Sequence, residues 1–144
     1  MAAQSTAKSA AETARAADAS IETRRRQARQ FAVDAARLAE HTRCHAVTIL
    51  DVSGLSPVTD FFVLASGTSA RQMRTVANEL AELGEKLGYR VYRTDGYESA
   101  NWILVDFVDV VIHLFTDEAR RYYDLESLWG DAQRVELAAE PPAD

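Results

Sequence analysis

Between residues 60 and 115 the hydrophobic pattern switches from strand to helix and back, and this alternation limits the fold more than any other feature of the chain. Asp60–Ser66, D-F-F-V-L-A-S, is a short apolar run rich in strand formers. Ser69-Ala70-Arg71-Gln72 then reads as a capping box, with Gln72 placed to reach back to the cap. The helix it opens carries Met73, Val76, Ala77, Leu80, Leu83 and Leu87 on one stripe, with Gly88 just past its end. Tyr89–Arg93 reads as a short strand before the turn Thr94-Asp95-Gly96. Trp102–Phe115, W-I-L-V-D-F-V-D-V-V-I-H-L-F, has eleven apolar or aromatic residues in fourteen and supplies two more strands. Strand–helix–strand requires a parallel pair, and the final hairpin adds an antiparallel one, so the sheet is mixed.

The flanks complete a single α/β domain. A helical period begins at Ile21 and continues through Ala28, Phe31, Ala35, Leu38 and Ala39. Ala46–Val52 is a strand, joined to the next by the loop S-G-L-S-P-V-T. Asp117–Trp129 has helical character, with Tyr122, Leu125 and Trp129 spaced for one face. Residues 1–20 hold nine alanines and no large apolar side chain apart from Met1, a tail that is expected to be mobile even where helical. The domain is therefore set at 21–131, with 132–144 a flexible tail ending on Pro141-Pro142.

Charge is unevenly spread. The total is −6, but residues 8–43 carry eight Lys/Arg against five Asp/Glu, and residues 95–131 carry nine Asp/Glu against two Arg. A segment at −7 disfavours sequence-specific nucleic-acid binding and suits a basic partner. The run Arg24-Arg25-Arg26 fits a solvated helix face better than a phosphate contact. No run approaches the roughly 20 apolar residues of a membrane span, and one cysteine, Cys44, fits a reducing compartment, with the cytoplasm as the default.

Catalytic and metal readings fare poorly. Gly67–Ser69 sits where nucleotidyltransferases bind phosphate at a strand-to-helix junction, but no aspartate pair follows to hold metal ions. His41, Cys44 and His45 lack the second ligand pair that a tetrahedral zinc site needs. The chain is thus expected to have no catalytic residue, metal or cofactor. In the 102–115 run, period two turns Trp102, Leu104 and Asp106 to one face and Ile103, Val105 and Phe107 to the other. Trp102 is then either a contact residue or packed beneath flanking helices, and periodicity leaves both open.

Four motifs in order resemble the ribosomal silencing factor, or Iojap, family. They are D-V-S-G-L-S-P-V-T-D-F-F-V-L-A-S-G-T-S-A-R-Q (51–72), D-G (95–96), the 102–115 run and R-R-Y-Y-D-L-E-S-L-W (120–129). The resemblance covers about residues 27–131. It implies a nucleotidyltransferase-like fold without the catalytic aspartates. It also implies a factor that binds the large ribosomal subunit through its fourteenth ribosomal protein, blocks subunit joining and represses translation under nutrient limitation. A homodimer when free is compatible with it. The alternative is a nucleotidyltransferase-like enzyme acting at Gly67–Ser69. On the family reading, Trp102 anchors the contact with Leu104 beside it. Asp95, Glu98, Asp106 and Asp109 face basic side chains, Tyr122 borders the patch, and His113 is structural. One position departs: Val108 stands where the family has glycine. A β-branched residue disfavours positive φ, so a changed turn type or a reshaped hairpin loop is expected there.

Overall fold

A computed structural model of the chain describes the backbone of residues 2–138 and the side chains of residues 9–138. The elements are α1 (Ala2–His41), β1 (His45–Asp51), β2 (Phe61–Ser66), α2 (Ala70–Leu87), β3 (Arg93–Asp95), β4 (Trp102–Asp106), β5 (Val110–Phe115), α3 (Asp117–Tyr123), α4 (Leu125–Leu128) and β6 (Gln133–Val135). The strands form one mixed sheet in the order β3-β4-β5-β2-β1-β6. β2 and β5 run parallel, as the strand–helix–strand pattern requires, with Phe62 beside Val111 and Leu64 beside His113. β4 and β5 form the expected antiparallel hairpin, with Trp102 opposite Phe115 and Leu104 opposite His113. The expected class, a single α/β domain with a mixed sheet and flanking helices, holds.

Helix placement follows from the apolar stripes. α1 lays Ala28, Phe31, Ala32, Ala35, Ala36 and Ala39 against the sheet, all nearly or wholly inaccessible to solvent. Its alanines let the helix axis come close, while Phe31 fills the remaining gap by stacking on Tyr89 at 4.4 Å. α2 adds Met73, Val76, Ala77 and Leu80 to the same core, which also takes Ile103, Val105, Ile112 and Leu114 from the sheet. The helix also continues N-terminal of Ile21, through the alanine-rich segment expected as a tail. Residues 9–20 there are exposed, so alanine's helix propensity rather than packing accounts for them.

Local details differ from the sequence reading in instructive ways. The Ser69 hydroxyl caps α2 by accepting from the Gln72 amide at 3.0 Å. Gln72 reaches one residue further back than expected, its Oε1 accepting from Thr68 N, while its Nε2 donates to the Thr42 carbonyl. Gly88 closes the helix at φ 84°. β3 lies at 93–95 rather than 89–93, because Tyr89 is taken up by Phe31. The expected helix 117–129 is broken at Asp124, which takes φ 46° between α3 and α4. A sixth strand, β6, lies beyond the boundary set at 131 and pairs with β1, Ile49 opposite Val135. The last part of that tail, with Pro141-Pro142, lies outside the described residues.

Val108 resolves the hairpin question. The turn keeps the left-handed conformation, with Val108 itself at φ 74°. Three bonds hold it: the Asp106 carboxylate accepts from Val108 N at 2.7 Å, and the Asp109 carbonyl accepts from Asp60 N and Phe61 N at the start of β2. The surrounding ladder thus imposes a conformation that the side chain resists, at a cost of about 1–2 kcal/mol. Val108 is 45% exposed, so its side chain returns little packing. Val108→Gly is expected to raise stability by about 1 kcal/mol after the entropy of glycine is counted, read as a higher urea midpoint at unchanged slope.

Candidate functional site

The sheet has two unequal faces. α1 and α2 cover one; the other carries Leu50, Phe62, Leu64, Val111 and Phe115 and is roofed only in part by the short α3 and α4. Beside that partial roof runs a groove of about 660 Å³, walled by Phe62, Leu104, Val111 and Trp129 and by the loop bearing Val58 and Thr59. Two apolar lining residues stand well exposed, Val58 at 77% and Tyr92 at 73%, and α3 and α4 expose two more, Tyr122 at 83% and Leu128 at 76%. An exposed apolar cluster around a concave floor is the signature of a binding surface.

Strand alternation puts Trp102, Leu104 and Asp106 on this face, as period two requires, with Ile103 and Val105 buried opposite. Trp102 is neither a free knob nor a core residue. Its ring stacks near Phe115 at 5.1 Å and against Tyr123 at 4.8 Å, and its Nε1–H donates to His113 Nδ1 at 3.0 Å. It therefore braces the ground between the groove and the exposed Tyr122–Tyr123 pair. Asp106 is half committed, clamping Val108 N and lying 3.5 Å from the Arg93 guanidinium. Asp95 lies opposite Leu104 at the sheet edge and pairs with Arg93 at 3.3 Å. Glu98 belongs to the loop before β4, which α2 grips through Arg74 on the Tyr97 and Glu98 carbonyls.

Asp109 sits elsewhere. It takes a two-pronged bond from Arg24 of α1, at 3.0 and 2.8 Å, on the helical side of the molecule. Its negative charge, together with burial, raises the pKa of the neighbouring Asp60 carboxyl, burial being the larger cause. Arg24 is thus occupied, and Arg25 and Arg26 bond to Glu22 and Thr23 of their own helix. Asp109→Asn is expected to leave any binding at the groove within about twofold of wild type. It should cost at most about 1 kcal/mol of stability, fading with added salt, as denaturant titrations at low and high salt will read.

The junction and cysteine motifs acquire structural explanations. A Cβ on Gly67 would lie 2.2 Å from Met73 Cγ, so the glycine makes room for helix-to-strand packing. Cys44 is buried beneath Gln72 Nε2, and burial pushes its thiol pKa up. His45 turns outward to Asp117, 2.7 Å away.

Two residues outside the expected contact set shape this face. Arg120 fixes α3 to the sheet, donating to Glu126, the Ala46 carbonyl and Ser66 Oγ. His113, only 4% exposed, lies in the groove floor with its Nε2 unpartnered. Burial holds its pKa down at about 4.

Comparison with known proteins gives this face a context. Residues 25–144 match the family model described as ribosomal silencing factor during starvation. A ribosomal silencing factor of Halalkalibacterium halodurans is 41% identical over 108 residues, 75% of this chain and 90% of that one. A mouse protein named mitochondrial assembly of ribosomal large subunit protein 1 is 34% identical over 101 residues, 65% of this chain and 44% of that one. A Bacillus halodurans crystal structure superposes with a TM-score of 0.63 at 38% identity, covering 75% of this chain and 95% of its own. Sequence and fold agree, and the chain belongs to the ribosomal silencing factor family.

Proposed function

We propose that the chain lowers translation by seating its open sheet face on the fourteenth ribosomal protein of the large subunit, where it obstructs small-subunit joining when nutrients are scarce. The observation that carries this reading is the groove on the half of the sheet that α3 and α4 leave uncovered, with Val58 and Tyr92 exposed in its lining and Tyr122 and Leu128 exposed on the two helices themselves. Occlusion requires an interface and no bond-making, so the face needs an apolar centre, a polar rim and complementary charge. Residues 95–131 remain strongly acidic with Asp109 set aside on the helical side, which suits a basic ribosomal protein over RNA phosphates. Leu104 and Trp102 form the centre in this reading, with Asp95, Glu98 and Asp106 towards the edge and Tyr122 bordering it. Two relatives named for silencing and for large-subunit assembly support a large-subunit target acting without catalysis, in the compartment that holds the ribosomes.

The test is co-sedimentation of purified chain with large subunits, run beside a subunit-joining assay. The chain is expected to travel with large subunits and to reduce joining in proportion to occupancy. A chain that remains a homo-oligomer and leaves joining untouched would mean that the same face serves self-association only.

A further inference from the structure

In the groove floor, hydrogen-bond chemistry assigns the tautomer of His113. Tryptophan Nε1 is donor only, so His113 Nδ1, 3.0 Å away, must be its acceptor and carry no hydrogen. The neutral ring then bears its proton on Nε2, the nitrogen without a partner. Thr59 Oγ1 is likewise buried and unpartnered, and Thr59 lines the same groove. A buried, unmatched polar atom typically costs about 1–3 kcal/mol, so two of them on residues lining one cleft call for an explanation that the free chain does not supply.

We infer that the groove receives an extended backbone segment of a protein partner: a peptide carbonyl accepts from His113 Nε2–H, Thr59 Oγ1 engages a peptide N–H, and an adjoining apolar side chain packs on Phe62, Leu104 and Trp129. One fixed donor and one hydroxyl, both on residues lining the same groove, match the alternating polarity of a main chain. The apolar walls suit a side chain, and the one cation in the lining, Arg93, is paired with Asp95 and Asp106 rather than left for a phosphate. The acidic character of residues 95–131 favours a basic protein over RNA as the source of that segment. This assignment rests on the large-subunit reading above and specifies the chemistry of the same face. It also explains why a histidine rather than an aliphatic residue occupies the middle of an otherwise apolar strand.

Thr59→Val and His113→Asn test it, with large-subunit co-sedimentation and urea unfolding measured on each full-length variant. Thr59→Val keeps shape and removes a hydroxyl that has no partner in the free chain, so its stability should equal or exceed wild type. Its affinity for large subunits should nevertheless fall roughly five- to tenfold. His113→Asn keeps an acceptor for Trp102, withdraws the Nε2 donor and should weaken binding to a similar degree. A stable Thr59→Val chain that sediments like wild type overturns the inference. So does binding to protein-stripped ribosomal RNA that is sensitive to Thr59→Val. Wild-type chain that fails to sediment with large subunits overturns the functional reading itself.

Discussion

Between pH 6.5 and pH 4 the chain is expected to lose about 3 kcal/mol of folding stability through His113 alone. The sign follows from the buried ring, whose pKa of about 4 lies below the ordinary 6.5. Across that window the unfolded chain takes up a proton that the folded chain refuses, so stability falls as pH falls. The contribution is fully present above pH 6.5 and levels off below about pH 4. Protonation would also turn both ring nitrogens into donors, breaking the bond from Trp102. Asp60, whose pKa is raised mainly by burial, works in the opposite direction near the lower end. Urea unfolding at several pH values on wild type and His113→Asn will check this. Asparagine does not titrate, so the variant's slope over this window should be shallower than wild type's by the His113 contribution. An equal slope in both would show that some other group governs acid sensitivity.

Trp102→Ala is expected to act twice. On the ribosome, truncating a tryptophan at the centre of an interface typically costs at least about 2 kcal/mol, roughly thirtyfold in affinity. In the free chain, the ring's contacts with Phe115 and Tyr123 and its bond to His113 are lost together. For a ring that is only partly buried this is a loss of about 2–3 kcal/mol in stability. Tyr122→Ala separates the two effects. Tyr122 is 83% exposed, so its removal should change stability by no more than about 0.5 kcal/mol while still weakening large-subunit binding. A folded Trp102→Ala chain that binds large subunits as wild type does would remove Trp102 from the interface.

What was legible in the sequence was whatever local periodicity controls. Alternation alone placed Trp102, Leu104 and Asp106 together, and Ser69 and Gly88 bounded α2 through cap chemistry that needs no tertiary context. What escaped depends on partners far along the chain. Asp109 resembles Asp106 in sequence, yet Arg24, 85 residues away, draws it to the helical side. β6 has only three residues with no alternation to read, and its pairing with β1 defines it. Part of the groove lining comes from Val58, in a loop, and Tyr92, expected within a strand at 89–93 but lying just before β3, and their exposure is decided by what fails to cover them. Val108 is the converse case: residue preference argued against a positive φ, and the hydrogen bonds around the turn outweighed it.

Site-directed photocrosslinking separates the open sheet face from α1 as the surface that meets a basic protein of the large subunit. A photoreactive phenylalanine analogue placed at Tyr92, on the groove rim, is compared with one at Arg26, exposed on α1. The Tyr92 position is expected to capture one basic large-subunit protein, the fourteenth, and the Arg26 position none. Capture from Arg26 alone, or capture of ribosomal RNA from Tyr92, would contradict it.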